Sequence, residues 1–242
     1  MWEVALPRAA RAELKVGIVL VGFNPDVVPG PAPTLLLGLA GSELPQGVVA
    51  PGERVADAMV RVASSAGVDI SPGRRARRPQ VYLLLASDAL EPDRVLTLWH
   101  YCCVPADAMV PPGVWVEFSG SARITREPVV RAALARVMSE GRFLAGALQL
   151  LPDVFTSEDL FRLHVALHGV QAGSERTFRR RVQELRAGGI IVPVRENEVD
   201  TMRGHVPRFR STPGTGGRPP ELLRFLGGGE QELFSVLRSR RT

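Results

Sequence analysis

The sequence predicts an α+β chain in two parts, a strand-rich N-terminal half and a helical, basic C-terminal half. Two observations carry this. Four runs rich in Val, Leu and aromatic residues, punctuated by Pro and Gly, precede residue 105, whereas apolar residues three and four apart dominate after residue 127. The formal charge of +5 is also divided unevenly. Residues 1–153 carry 15 basic and 15 acidic side chains, and residues 154–242 carry 15 basic and 10 acidic, which is the whole excess. Such asymmetry points to a polyanionic partner for the C-terminal part, although a solvated charged face gives the same composition.

The strand candidates are residues 14–23 (LKVGIVLVGF), 34–39 (TLLLGL), 80–86 (QVYLLLA) and 94–104 (RVLTLWHYCCV). Between the second and third, residues 53–66 place Val55, Met59 and Val62 at the spacing of a helix with one buried stripe. Residues 127–150 open on Glu-Pro, a first-turn signal, and carry Val130, Leu134 and Val137 along one side, which predicts a linking helix. The boundary between the halves falls near Leu151, Pro152 and Asp153, giving domains at 1–150 and 151–226 and a tail at 227–242.

At 242 residues with 45% hydrophobic content the chain is long enough for packed cores. No run reaches the roughly 18 apolar residues of a membrane span and the first residues lack the order of a signal peptide, so a cytoplasmic, soluble protein is expected. Cys102 and Cys103 are adjacent in a strand and point to opposite faces, so neither a disulfide nor a metal site is expected. His164 and His168 lie one helical turn apart, a spacing met in ordinary helix surface or core. No cofactor or metal is predicted.

Beyond the boundary, Thr156 or Ser157 caps a helix that buries Leu160, Leu163 and Leu167, with Asp159 close to the capping-box position. Gly169 to Gly173 makes a turn, and Ser174 caps a second helix in which Phe178, Val182 and Leu185 recur at helical spacing. Arg176, Arg179, Arg180, Arg181 and Arg186 occupy most of its remaining surface, and Gly188 and Gly189 stop it. Ile190 to Val194 and Leu222 to Phe225 read as two strands joined by a polar loop with Arg203, His205, Arg208, Arg210 and Arg218, the form of a wing. The order is that of a winged helix-turn-helix whose second helix enters a DNA major groove. Arginine suits that task because its planar fork donates paired hydrogen bonds to phosphates and guanine edges. The candidate DNA contacts are Ser174, Arg176, Thr177, Arg179, Arg180, Arg181, Arg208, Arg210 and Arg218. An arginine-rich surface helix is the plainer alternative, since the chain has a single lysine, Lys15.

These segments, together with GGRPPELLRF, resemble the C-terminal winged helix of the Nudix-related transcriptional regulators of NAD metabolism. In the N-terminal half, LPQGVVAPGERVADAMVRVASSAGV resembles a Nudix box, with Leu44, Pro45, Gly47, Pro51, Gly52, Glu53 and Gly67 at or near the expected places. The resemblance covers most of residues 12–225 and implies a mixed-sheet α/β/α sandwich followed by the winged helix. It departs from the family where a usual Phe-Asp-His appears as Ile124, Thr125 and Arg126. It implies a homodimer on a double-stranded operator and a nucleotide-sugar effector such as ADP-ribose. Candidate effector contacts are Arg74, Arg75, Arg77 and Arg78 for phosphates and Trp99 and Tyr101 for a base, with solvated loop and core as the plainer roles; Trp115 is a third such aromatic.

A working Nudix enzyme needs several carboxylates on its helix to hold magnesium. Gly47 and Glu53 keep the motif spacing and Arg61 follows eight residues after Glu53, but the next positions are Val62, Ala63, Ser64, Ser65 and Ala66. Gly67 comes one residue early, and neither register places a carboxylate among residues 58–68. The domain is therefore expected to be a sensor without catalysis. The alternatives are an active hydrolase that recruits Glu43 or Asp57, and a winged helix that binds protein rather than DNA.

Overall fold

The computed structural model describes residues 12–23, 35–70, 81–89, 94–105, 114–118, 126–141, 147–168, 175–194 and 221–226. The first strand, β1 (Glu13–Gly22), is the axis of a six-stranded mixed sheet. The other strands are β2 (Leu36–Leu39), β3 (Gln46–Val48), β4 (Val81–Ala89), β5 (Val95–Val104) and β6 (Val114–Glu117). On one edge β1 pairs in parallel with β5, and β4 completes that side antiparallel to β5 with an irregularity between Leu83 and Leu85. Its other edge is shared antiparallel by β3 and β2, and β6 pairs with β2.

Helices cover both faces, which is why β1 reads as an unbroken apolar run rather than an alternating one. On one face α1 (Val55–Ser65) packs against Val16, Ile18, Leu20 and Cys102. On the other, α2 (Pro128–Gly141) packs with Val19, Val21, Tyr101 and Cys103. The adjacent cysteines thus enter opposite cores, and neither is in a disulfide. Val130, Leu134 and Val137 are buried as the sequence predicts. In α1 the buried residues are Ala58, Val62 and Ala63, followed by Ala66 at the C-cap, with Val55 and Met59 partly buried beside them. The buried face is therefore wider than the predicted stripe, because small alanines are buried with it and carry no periodic apolar signal.

Three short strands, β3, β6 and β7 (Val154–Thr156), were not foreseen, and the expected helix at 127–150 ends at Gly141. A separate 3₁₀ turn occupies Ala147–Leu150. Leu148, Leu150, Leu151 and Phe155 are each fully buried and belong to the same apolar cluster as α2 and the sheet. The segment where the sequence suggested a boundary is thus packed interior, and each such side chain stabilises the fold by about 1.5–3 kcal/mol.

From β7 the chain enters α3 (Ser157–His168), then α4 (Glu175–Ala187), β8 (Ile191–Pro193) and β9 (Leu222–Phe225). Strand β9 lies between β7 and β8, antiparallel to both. Thr156 and Asp159 form a reciprocal cap on α3: Asp159 N–H donates to Thr156 Oγ1 at 3.1 Å, and Thr156 N–H donates to Asp159 Oδ2 at 2.8 Å. At the end of α4, Gly189 takes φ +67°, which lets Ile190 N–H reach back to the Leu185 carbonyl at 2.9 Å and directs the chain into β8.

Candidate nucleic-acid interface

The outer face of α4 follows from its packing. Phe178, Val182 and Leu185 are buried, and the Phe178 ring meets Phe161 of α3 edge-on at 5.0 Å and His164 at 5.6 Å. His164 and His168 form a ring pair 5.0 Å apart beneath the same contact, so this pair belongs to the packing of α3. With the core side fixed, Arg176, Thr177, Arg179 and Arg180 are exposed and Arg181 is half-buried at the margin. Arg180 Nε lies 3.6 Å from Glu184 Oε1 along the exposed side. Arg186 turns away from that face to pair with Glu221, which ties the end of α4 to the start of β9. Gln183 and Glu184, which the sequence reading passed over, are exposed beside the arginines. Ser174, Arg208, Arg210 and Arg218, together with Arg203 and His205, lie outside the described residues.

The N-terminal half presents a second candidate surface around the glycine-containing segment and α1. Gly47 sits where α1 crosses β3: a Cβ there would lie 3.0 Å from Val62 Cγ2 and 3.4 Å from Arg61 Nη1. Glu53 clasps Arg61 through two hydrogen bonds of 3.0 and 2.8 Å, and Arg61 donates onward to the Val48 carbonyl at 2.8 Å. Ala50 N–H adds a third hydrogen bond to Glu53 at 2.8 Å. The Arg61 guanidinium, and then the Ala50 N–H, hold the Glu53 carboxyl below the usual carboxylate range. Glu53 and Arg61 therefore brace the loop against α1. Ser65, on the following turn, donates its hydroxyl to the Val62 carbonyl at 2.7 Å. Of the two carboxylates in the box, Glu53 is committed to Arg61, Asp57 is the other, and positions 58–68 offer none. Asp57 is exposed in the first turn of α1, and Glu43 stands apart from it in the turn before β3.

Of the aromatic candidates, Trp99 is half-buried, with its indole N–H on Ser87 Oγ at 3.2 Å and its ring over Gly17, where a Cβ would approach within 2.4 Å. Tyr101 is 1% exposed and stacks on Tyr82 at 5.1 Å, which places it in the core rather than at a ligand. Trp115 packs over Gly38 and Leu20 on the α1 side. Arg74, Arg75, Arg77 and Arg78 lie outside the described residues. His100 is buried beside the Leu98 carbonyl at 3.1 Å, and burial depresses its pKa from the ordinary imidazole value. Burial, and then Cys103, push the Cys102 thiol well above its ordinary range, so it is no nucleophile.

Solved structures share this architecture. NrtR of Shewanella oneidensis matches with a TM-score of 0.59 at 15% identity, over 88% of this chain and 93% of the other. The chain has the Nudix-related, NrtR-like fold. The same protein complexed with a 27mer DNA gives a TM-score of 0.57, 15% identity and the same coverage. A MutT/nudix family protein from Enterococcus faecalis gives 0.57 at 14% identity, over 91% of this chain and 90% of the other. Coverage of 88% of the chain is more than residues 1–150 can supply, so the likeness is not confined to the N-terminal half. No protein-family model and no curated protein matches the sequence. Among the described residues no helix is long and apolar enough to cross a membrane.

Proposed function

We propose that the protein is a DNA-binding transcriptional regulator in which β7 to β9 form a winged helix-turn-helix and the N-terminal half is a Nudix-like sensor without hydrolase activity. The observation that carries the reading is α4: the second of two consecutive helices, docked by Phe178, Val182 and Leu185 and presenting Arg176, Thr177, Arg179 and Arg180 outward, as a recognition helix would. The DNA complex of the Shewanella protein of like fold supports it. Arg208, Arg210 and Arg218 belong to the proposed wing, where they contact phosphates, and Ser174 and Arg181 complete the contact set.

Loss of catalysis is proposed because α1 offers Val62, Ala63, Ser64, Ser65 and Ala66 where carboxylates would hold magnesium, and Glu53 is engaged by Arg61. The proposed effector is a nucleotide such as ADP-ribose, with Arg74, Arg75, Arg77 and Arg78 at its phosphates and Trp99 beside its base; Tyr101 is left out because it is core. A homodimer would set two copies of α4 one helical turn of DNA apart. The Enterococcus neighbour favours a second reading, a hydrolase using Asp57 or Glu43. A mobility-shift titration against DNA upstream of the protein's own gene, at two salt concentrations with and without ADP-ribose, tests the proposal. A specific shift that weakens steeply with salt and changes with ADP-ribose supports it, because phosphate contacts release counterions. No shift at either salt concentration sinks the DNA reading, and magnesium-dependent ADP-ribose turnover sinks the inactive sensor.

A further inference from the structure

The outward face of α4 carries more than charge. At about 100° per residue, Arg176, Arg180 and Gln183 fall within about 60° of one another, opposite the buried line of Phe178, Val182 and Leu185. All three are exposed. Arg180 reaches along the helix toward Glu184 at 3.6 Å, while Arg186 is drawn inward by Glu221 and is removed from this face. In the second half of the helix the outermost polar side chain is thus an amide, Gln183, and not a guanidinium.

An amide differs from an arginine in one respect that matters in a groove: it has both a donor and an acceptor. It contributes no net charge to phosphate attraction, but it matches the N6 donor and N7 acceptor of adenine in a bidentate pair, as arginine matches guanine. We infer that Gln183 is a base-reading residue of α4, specific for adenine, and that Arg176 reads a guanine nearer the helix N-terminus. Seven residues at about 1.5 Å each separate the two by about 10 Å along the helix, so they meet different base pairs of one groove. The half-site therefore contains a guanine and an adenine at separate positions. Glu184, by holding Arg180 along the helix, is a positioning residue beside them.

This inference rests on the DNA-binding reading, and the test separates the two. Duplexes are selected from a randomised pool by the wild-type protein and by Gln183→Ala, Gln183→Glu and Arg176→Ala, and the selected duplex and its single-base variants are titrated in mobility shifts. Position 183 is exposed on a helix and alanine favours helix, so the variants keep the wild-type melt. The expected result is that Gln183→Ala lowers the preference for adenine about tenfold at one position, distinct from the guanine whose preference Arg176→Ala removes. Gln183→Glu moves the preference at that position toward cytosine, whose N4 amine donates to a carboxylate. Unchanged selection by Gln183→Ala overturns the inference, as does a uniform weakening across all sequences, which marks a phosphate contact. Wild-type protein that selects no duplex overturns the DNA reading itself, and the inference with it.

Discussion

Replacing Phe178 by alanine tests whether α4 is held as a rigid reading element. Phe178 is 5% exposed, and its ring meets Phe161 edge-on at 5.0 Å and His164 at 5.6 Å. Truncation of a buried phenylalanine costs about 3–5 kcal/mol, and about 0.5–1.5 kcal/mol of that belongs to each aromatic contact beyond area burial. For a chain of this size the corresponding fall in melting temperature is roughly 10 °C. Phe178→Leu keeps most of the buried volume and loses the ring geometry, so a smaller fall of about 1 kcal/mol is expected. Urea unfolding followed by tryptophan fluorescence and by far-ultraviolet circular dichroism measures both. All three tryptophans lie in the N-terminal half, so fluorescence reports the sheet half while dichroism is dominated by the helices. Because the apolar cluster runs from Val19 and Tyr101 through Leu151 to Phe178, the two signals should move together in the alanine variant. An unmoved transition refutes the placement of Phe178, and a loss confined to dichroism refutes the shared core.

Four further outcomes follow from the same geometry. Arg176→Ala and Arg180→Ala should each weaken duplex binding by about 1–3 kcal/mol in mobility shifts and reduce its salt dependence if they touch phosphate, while the melt stays in place. Because burial depresses the His100 pKa, the neutral ring supports folding and that support is lost as pH falls through the imidazole range; the wild-type melt should drop more steeply from neutral pH to about pH 5 than that of His100→Gln. Arg61 depresses the Glu53 pKa, so this clasp contributes above the ordinary carboxylate range and fades as pH falls through the lowered value; Glu53→Gln should flatten the acid limb of a pH melt. Incubation with magnesium and ADP-ribose should leave ADP-ribose intact, as read by chromatography of the products.

What the sequence disclosed of the fold depended on how strongly each element is patterned. Strands β1 and β5 are buried on both faces and announce themselves as apolar runs, and the α2 stripe Val130, Leu134 and Val137 has the helical period. Strands β3, β6 and β7 have three or four residues each, too few for a period to stand out, and they exist because a neighbour pairs with them. Pairing is a tertiary fact. The same holds at Leu151 and Phe155: the sequence suggests a domain boundary near Leu151, Pro152 and Asp153, but not that Leu151 and Phe155 are buried in the shared apolar cluster.

The interface divides along the same line. Separation of Phe178, Val182 and Leu185 from the arginines is periodic, so the outward face of α4 is visible in the sequence. Which arginine leaves that face is not, because Arg186 pairs with Glu221, 35 residues later. Trp99 and Tyr101 share one face of β5 and look alike in a sequence, yet Gly17 makes room for one while Tyr82 covers the other. Gln183 carries no charge, so the sequence gives no sign of its proposed part in the interface. Charge measures attraction to the backbone, which every duplex shares, whereas discrimination between bases requires paired donors and acceptors at a fixed height on the helix. Only the packing of α4 fixes that height, and it leaves Gln183, the adenine reader of our inference, outward beside Arg176, Arg179 and Arg180.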